Sequence, residues 1–258
     1  MIIPLYDYDA NQNALIEPSR IIKKREGPRD CVICFFHEVI EDIVDKHNAR
    51  LLLTDKWECG EHHFYEIEHS GNRLAFFHPG VGAPHAVGLL EAAIAMGCKR
   101  FIAVGGCGTL QTDLAVGHLI VVHSAIRDEG CSFHYLPASR EVESDDAMRA
   151  RIEQELIARN LPTTVGKTWT TDAPYRETKV KIQSRRNEGA IVVEMESAAL
   201  IAACRFRGVE FGQILYSGDD LSGDSWDPRG WSHRTDIRNN LFWLAADILT
   251  SDPPATIQ

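Results

Sequence analysis

Along this chain, segments with the apolar pattern of a strand alternate with segments that have the apolar pattern of a helix. Short apolar runs predict buried strands, and apolar residues three or four positions apart predict helices. The predicted strands are residues 31–36, 63–68, 73–78, 99–104, 116–124, 163–169, 191–193 and 211–217. The predicted helices are residues 37–47, 84–97, 144–160, 176–188, 197–207 and 236–249. This alternation predicts an α/β fold, a single-domain three-layer αβα sandwich with a mostly parallel central sheet.

The pattern divides the chain into three parts. Residues 1–30 are polar and irregular, and we expect an arm that lies on the body of the protein or on a neighbouring subunit, the alternative being a frayed tail. Residues 31–250 carry the alternating elements and are predicted to form one domain, and residues 251–258 form a polar tail. The chain has 258 residues, of which 44% are hydrophobic, which is enough for one large core.

Polar or glycine-rich segments follow several predicted strands. Ligands of parallel sheets bind at the carboxyl ends of the strands, so we expect these segments to converge. They comprise the three glycines Gly105, Gly106 and Gly108, the loop 170–175, the carboxylates Glu194 and Glu196, and the pair Asp219 and Asp220.

The glycines are predicted to form a turn after the strand that begins at residue 99. Glycine lets a backbone approach a ligand closely and presents amides to an anion. A tight turn without a ligand explains the same pattern.

The two glutamates stand where the apolar run Ile191-Val192-Val193 ends and an Ala-rich helix begins. Buried carboxylates need partners, and the hydroxyl groups of a ligand would serve. A capping box or a salt-bridged surface turn is the alternative.

Composition restricts the possible partners. The formal net charge is −10, which disfavours nucleic acid and anionic membranes. No segment has the length of a membrane span, and the N-terminal residues do not resemble a signal peptide. The seven scattered cysteines indicate reduced thiols, and hence a cytoplasmic location.

Cysteine and histidine spacing indicates no metal site. Cys31 and Cys34 have CxxC spacing, but on a strand their thiols face opposite sides. His62, His63 and His134 lack a recognised ligand spacing, so we predict no metal and no cofactor.

The segment Val193-Glu194-Met195-Glu196-Ser197-Ala198 is the most specific motif of the chain. With it, residues 31–248 resemble the nucleoside phosphorylase superfamily, which includes purine nucleoside phosphorylase, uridine phosphorylase and the methylthioadenosine/S-adenosylhomocysteine nucleosidases. Residues 116–134 look most like the uridine phosphorylase branch. The resemblance implies a homodimer or homohexamer that cleaves the N-glycosidic bond of a ribonucleoside.

The resemblance also implies roles for the acidic residues. The carboxylate that matches Glu196 binds the ribose hydroxyls, Met195 packs under the sugar, and Glu194 is a supporting residue. Asp219 matches the acid that protonates N7 of a purine. This match favours a purine substrate, whereas the similarity of residues 116–134 to uridine phosphorylase points the other way. If the alignment is shifted by one residue, Asp220 takes the place of Asp219.

Two further segments match substrate-binding regions of the family. Thr171 lies in a segment similar to the base-binding loop, and Tyr175 or Pro174 matches the position of an aromatic ring that stacks on the base. Arg229 or Arg234 lies where the family has a mobile lid with an arginine, and a surface salt bridge is the alternative for either.

The sequence departs from the phosphorylases at the phosphate site. A Gly-Asp-Pro loop is replaced at residues 35–39, an arginine is replaced by Ala103, and a Ser or Thr is replaced by Gly106. A phosphate dianion needs charge-assisted donors. The remaining candidates are the amides of Gly105–Gly108 and the arm residues Arg20, Arg25 and Arg29.

The nucleosidase branch also lacks these donors and places a glutamate after the first strand to activate water. His37 and Glu38 occupy that neighbourhood, and either is a candidate base. Their alternative role is that of polar residues in the first turn of a helix.

The expectation from the sequence is therefore an enzyme that cleaves the N-glycosidic bond of a ribonucleoside, with a purine favoured. Hydrolysis is narrowly favoured over phosphorolysis, in which phosphate would be the co-substrate. A catalytically weak nucleoside-binding module is the second alternative.

Overall fold

A computed structural model describes residues 3–22 and 27–251 of the chain. The helices are α1 (Pro18–Ile21), α2 (His37–Lys46), α3 (Ala83–Met96), α4 (Asp146–Ala158), α5 (Lys179–Asn187), α6 (Ser197–Arg207) and α7 (Thr235–Thr250). The strands are β1 (Asp30–Cys34), β2 (Arg50–Trp57), β3 (Gly60–His69), β4 (Asn72–Phe77), β5 (Arg100–Thr109), β6 (Leu119–Asp128), β7 (Glu141–Glu143), β8 (Thr163–Thr171), β9 (Ala190–Glu194) and β10 (Glu210–Asp220). Short 3-10 helices occupy Pro4–Tyr6, Cys131–His134, Pro174–Arg176 and Trp231–His233.

All the strands belong to one sheet, which confirms the α/β prediction. The strand order is β10-β6-β8-β9-β5-β1-β4-β3-β2, and β7 pairs with β6. Parallel ladders join β1 to β4 and β5, β5 to β10, and β8 to β6 and β9. The other ladders are antiparallel, so the sheet is mixed. Because β10 pairs with both β5 and β6, the five strands β5, β10, β6, β8 and β9 close on themselves.

Helices cover both faces of the sheet and produce the three predicted layers. One hydrophobic cluster contains residues of α3 and α6, and the other contains residues of α2, α4 and α7. Cys31 lies in the first cluster and Cys34 in the second, both fully buried, so the two thiols of the CxxC segment face opposite sides as predicted.

The predicted glycine turn after residue 104 is wrong. Strand β5 continues through these glycines, because β10 pairs with Gly105 and Gly106 and β9 pairs with Gly108. Close side-chain packing explains the glycines. A Cβ on Gly106 would lie 3.2 Å from the Tyr216 ring, and one on Gly108 would lie 2.5 Å from Leu221.

Strand β2 was missed because its sequence, RLLLTDKW, places leucines in succession and then polar residues. It is an edge strand of the sheet, and Leu51 is half exposed. An edge strand needs little apolar alternation, so the periodicity signal is weak.

The described part of the arm, residues 3–22, lies on its own chain. Glu17 and Ile22 are buried, and the Arg207 guanidinium lies 3.7 Å from the Glu17 carboxylate. The basic cluster Lys23-Lys24-Arg25 and the tail after Ser251 fall outside the described residues. Among the described helices, none combines the length and the apolar character that crossing a membrane requires.

Candidate active site

Glu194 ends β9 and caps the helix that follows. Its carboxylate accepts hydrogen bonds from the backbone amides of Glu196 (2.7 Å) and Ser197 (2.6 Å). It also accepts from the hydroxyls of Thr170 (2.7 Å) and Thr168 (3.2 Å). The carboxylate thereby satisfies amides at the N-terminus of α6 that have no partner within the helix. These contacts make Glu194 a cap of α6, and its supporting role at the substrate stays a prediction.

Glu196 follows two residues later, as the N-cap of α6, and lies between two helix N-termini. Its side chain is buried, with 7% exposure, and its Oε1 accepts a hydrogen bond of 2.6 Å from the backbone amide of Gly82. Gly82 is the N-cap of α3 and has φ +90°, a conformation that favours glycine. Met195, between the two glutamates, is only partly buried.

The two carboxyl groups differ in their donors. Burial, followed by the neighbouring charge of Glu194, raises the pKa of Glu196 to about 8, against the opposing effect of the Gly82 and Met195 amides. Burial also raises the pKa of Glu194, but its four donors favour the charged form. We therefore assign the negative charge of the pair to Glu194, so that Glu196 carries a proton at neutral pH in the free protein.

Asp219 reaches the same region from the end of β10. Its Oδ2 accepts a hydrogen bond of 2.6 Å from the indole of Trp226. A Cβ on Gly108 would lie 3.4 Å from Asp219 Oδ1 and 3.1 Å from Val193, the residue before Glu194. The structure thus brings the predicted acid close to the end of β9.

Glu177 is a further acid near Asp219, and the sequence did not indicate it. Burial and the charge of Asp219 raise the pKa of Glu177 to about 7. Asp220 is engaged differently, because its Oδ1 accepts from the Ser222 amide at 2.7 Å and its Oδ2 lies 3.9 Å from Arg229.

The residues predicted to bind the base differ in their burial. Thr171 is buried, and its hydroxyl accepts from the Ala173 amide at 3.2 Å. The side chain of Tyr175 is fully exposed in this chain. Asp172 accepts a hydrogen bond of 2.8 Å from the Gly130 amide, and its charge contributes to the raised pKa of Glu196.

The predicted lid arginine, Arg229, is held by β10 and by the segment that precedes β6. All three guanidinium nitrogens of Arg229 donate hydrogen bonds, to the carbonyls of Leu114, Gly218 and Asp219 and to the Ser217 hydroxyl. Arg234 donates to the carbonyl of Arg229 at 3.1 Å. The structure therefore shows Arg229 fastening the loop after β10.

His37 and Glu38 begin α2, and both have protein partners. The Glu38 carboxylate accepts a hydrogen bond of 2.6 Å from Arg238, which also donates to the Tyr216 hydroxyl at 3.1 Å. His37 is largely exposed and lies 3.4 Å from Glu41. Its ring is 5.6 Å from that of His78, whose pKa burial lowers to about 4.

Arg238 was missed by the sequence analysis although a signal was present. It is buried on α7, three and four positions before the buried residues Leu241 and Phe242. A charged residue at an apolar position of an amphipathic helix is unusual and indicates a buried partner.

A family model, related sequences and a solved structure all place this chain among the phosphorylases or give it their fold. A family model described as the phosphorylase superfamily matches residues 29–240. The chain is 26% identical over 173 residues to a guanosine phosphorylase of Halorubrum lacusprofundi, covering 65% of this chain and 72% of the relative. It is 28% identical over 189 residues to a DeoD-type purine nucleoside phosphorylase of Bacillus cereus, covering 70% and 74%. A solved uridine phosphorylase of Vibrio fischeri has the same fold, with a TM-score of 0.72, 23% identity and coverage of 87% and 90%.

The mixed sheet with carboxylates at the ends of β9 and β10 defines an α/β protein with a candidate active site at the strand ends. The chain belongs to the phosphorylase superfamily. The names of its relatives confirm the prediction of an enzyme that cleaves the N-glycosidic bond of nucleosides. They do not support the preference for hydrolysis and instead favour its alternative, phosphorolysis.

Proposed function

We propose that this protein catalyses the phosphorolysis of a ribonucleoside, with purine nucleosides favoured. A phosphate oxygen forms a bond to C1′ of the ribose as the C1′–N bond breaks, and the bonding electron pair leaves with the base. A proton from Asp219 neutralises the departing purine at N7. The products are the free base and ribose 1-phosphate.

The ion pair between Glu38 and Arg238 is the observation that carries the choice of nucleophile. Hydrolysis at this position needs a free carboxylate to take a proton from water. The Glu38 carboxylate instead accepts a charge-assisted hydrogen bond from a buried arginine. His37 is largely exposed to solvent beside Glu41, so it is not held in a buried site next to the sugar-binding carboxylates.

Arg238 is also our candidate for the positive charge that Ala103 no longer supplies. Its guanidinium donates to the Tyr216 hydroxyl, which would lie 3.4 Å from a Cβ on Gly106. The side chain of Glu38 is 41% exposed, so it can turn to solvent when phosphate takes its place. Arg238 would then remain paired with an anion in both states.

Glu196 supplies the ribose-binding group in this proposal. Its carboxyl group is buried, and its neighbour Met195 is partly exposed and available to pack under the sugar. Loss of its proton on substrate binding would place a negative charge near the electron-poor ribose of the transition state, a position where charge has a large effect on rate.

The test is product analysis with guanosine, inosine, adenosine and uridine, each with and without phosphate. We expect ribose 1-phosphate and free base from a purine nucleoside only when phosphate is present. Free ribose formed at the same rate without phosphate would overturn the proposal in favour of hydrolysis.

A nucleoside-binding module is the second candidate, because Ala103 and Gly106 remove two phosphate donors. Binding measured by calorimetry without release of base over hours would support it. Turnover that Glu196→Gln abolishes would exclude it.

The proposal includes a homodimer or homohexamer located in the cytoplasm. Light scattering of the purified protein measures the number of chains in the assembly.

A further inference from the structure

A cluster of three side chains joins the turn between β2 and β3 to the first turn of α3. The Cys59 thiol lies 3.5 Å from Nε2 of His62 and 3.8 Å from Nε2 of His85. The two Nε2 atoms are 3.1 Å apart. Cys59 is exposed and both histidines are partly buried, so the cluster is open to ions from solution.

These distances match three corners of a tetrahedral zinc site. With Zn–N of about 2.05 Å and Zn–S of about 2.3 Å, a tetrahedron has N···N edges of about 3.3 Å and S···N edges of about 3.6 Å. The observed edges, 3.1, 3.5 and 3.8 Å, each lie within a few tenths of an ångström of these values. A single point therefore lies at bonding distance from all three atoms.

Hydrogen bonds among the three side chains explain their close approach less well than a shared metal ion does. Between the Nε2 atoms of His62 and His85 there is room for one hydrogen, and Cys59 is a weak donor and a weak acceptor. A soft sulfur with two imidazoles selects zinc or a similar transition metal, whereas calcium and magnesium prefer oxygen.

We propose that Cys59, His62 and His85 bind one Zn²⁺ ion, with water at the fourth position. Zinc binding by these residues does not require that the protein catalyses phosphorolysis. Its separation of 26 residues between Cys59 and His85 explains why ligand spacing in the sequence did not reveal it.

The ion would fasten the β2–β3 turn to the loop that supports Glu196. The His85 ring packs against Gly80, where an added Cβ would lie 2.2 Å from its Nδ1. Gly82, two residues further on, donates to Glu196. Zinc would therefore fix the start of α3 from one side while Glu196 accepts from the other.

The test uses the full chain without an affinity tag. We expect about one zinc per chain by elemental analysis after exposure to Zn²⁺ and gel filtration. When Co²⁺ replaces Zn²⁺ in the unmodified chain, the absorption spectrum should show a thiolate-to-cobalt charge-transfer band. The absence of bound zinc or of this band in the unmodified chain would overturn the proposal.

Variants then assign the ligands. Cys59→Ser and His85→Gln should weaken zinc binding at least about tenfold in competition with a chelating dye. His63→Gln and Cys131→Ser serve as matched controls, because His63 contacts Thr54 and Cys131 is partly buried elsewhere. Circular dichroism checks that each variant is folded, and equal affinity in the ligand and control variants would refute the assignment.

Discussion

The backbone amide of Gly82 donates a hydrogen bond of 2.6 Å to Oε1 of Glu196, although 114 positions separate the two residues. The contact joins the N-terminus of α3 to that of α6. Both helix termini favour negative charge, whereas burial and Glu194 oppose it. Glu196 is thus a carboxyl group whose charge depends on what binds beside it.

We expect Glu196→Gln to lower kcat/KM for the nucleoside about 10²–10³-fold, because the amide cannot carry the charge that stabilises the transition state. In the unmodified enzyme kcat/KM should rise as the pH approaches about 8, since a larger fraction of Glu196 is then ionised. Steady-state kinetics across this pH range checks both effects. Glu153→Gln, a control variant on α4, should leave kcat/KM and its pH dependence unchanged. If kcat/KM of Glu196→Gln equals that of the unmodified enzyme, Glu196 does not stabilise the transition state.

The stability of the protein should depend on the same group. Glu196 has its ordinary pKa of 4.5 in the unfolded chain and a pKa of about 8 in the folded chain, so between these values only the folded state binds the proton. The stabilisation is complete below pH 4.5 and is lost as the pH rises towards 8. Urea unfolding at several pH values should show the unmodified protein losing stability relative to Glu196→Gln, and a constant difference would contradict the raised pKa.

Asp219→Asn should lower kcat for purine nucleosides about 10²–10⁴-fold, because an amide cannot donate a proton to N7. Asp220→Asn is the matched control, since Asp220 accepts from the Ser222 amide and an asparagine oxygen can do the same. Comparing the two variants on inosine decides which aspartate is the acid. A larger loss in Asp220→Asn would exchange their roles.

Arg238→Met should raise the KM for phosphate at least about tenfold, because a charge-assisted donor is lost. Glu38→Gln should retain phosphorolysis, since the proposal gives Glu38 no role in the chemistry. Initial rates at varied phosphate test both variants, with circular dichroism as a folding control because Arg238 is buried. Loss of turnover in Glu38→Gln at saturating phosphate would restore Glu38 as a candidate base.

Glu194→Ala should destabilise the fold by about 3 kcal/mol or more, because it leaves buried donors at the start of α6 unsatisfied. Urea unfolding measures the change. Glu153→Gln again serves as the control, with an expected effect within about 0.5 kcal/mol. A small effect of Glu194→Ala would show that water replaces the carboxylate at the helix terminus.

Local patterns identified those elements whose signals lie close together in the sequence. Helix α2 begins at His37 as predicted, and α6 ends before Gly208, which adopts the left-handed conformation expected of a helix stop. The acidic segment at the end of β9 was also found, because an apolar run followed by two carboxylates is visible without any long-range information.

Contacts between segments that are distant in sequence account for what the local patterns did not reveal. Gly105–Gly108 were predicted to turn, but β10 and β9 supply partners for that backbone and keep it extended. The resemblance placed Arg229 or Arg234 in a lid, and the structure shows Arg229 donating to the carbonyl of Gly218 in β10 and to that of Leu114 in the segment before β6. In each case residues distant in sequence decide the conformation.

The sequence by itself determined the α/β class and the approximate positions of most helices and strands, because these follow from periodicity, and residue chemistry marked the acidic segments as candidates. Only the tertiary structure decided which glutamate caps a helix, that Glu38 pairs with Arg238, and that Cys59 meets two histidines. These contacts form when strand order and helix packing bring distant segments together, and no local pattern encodes that geometry.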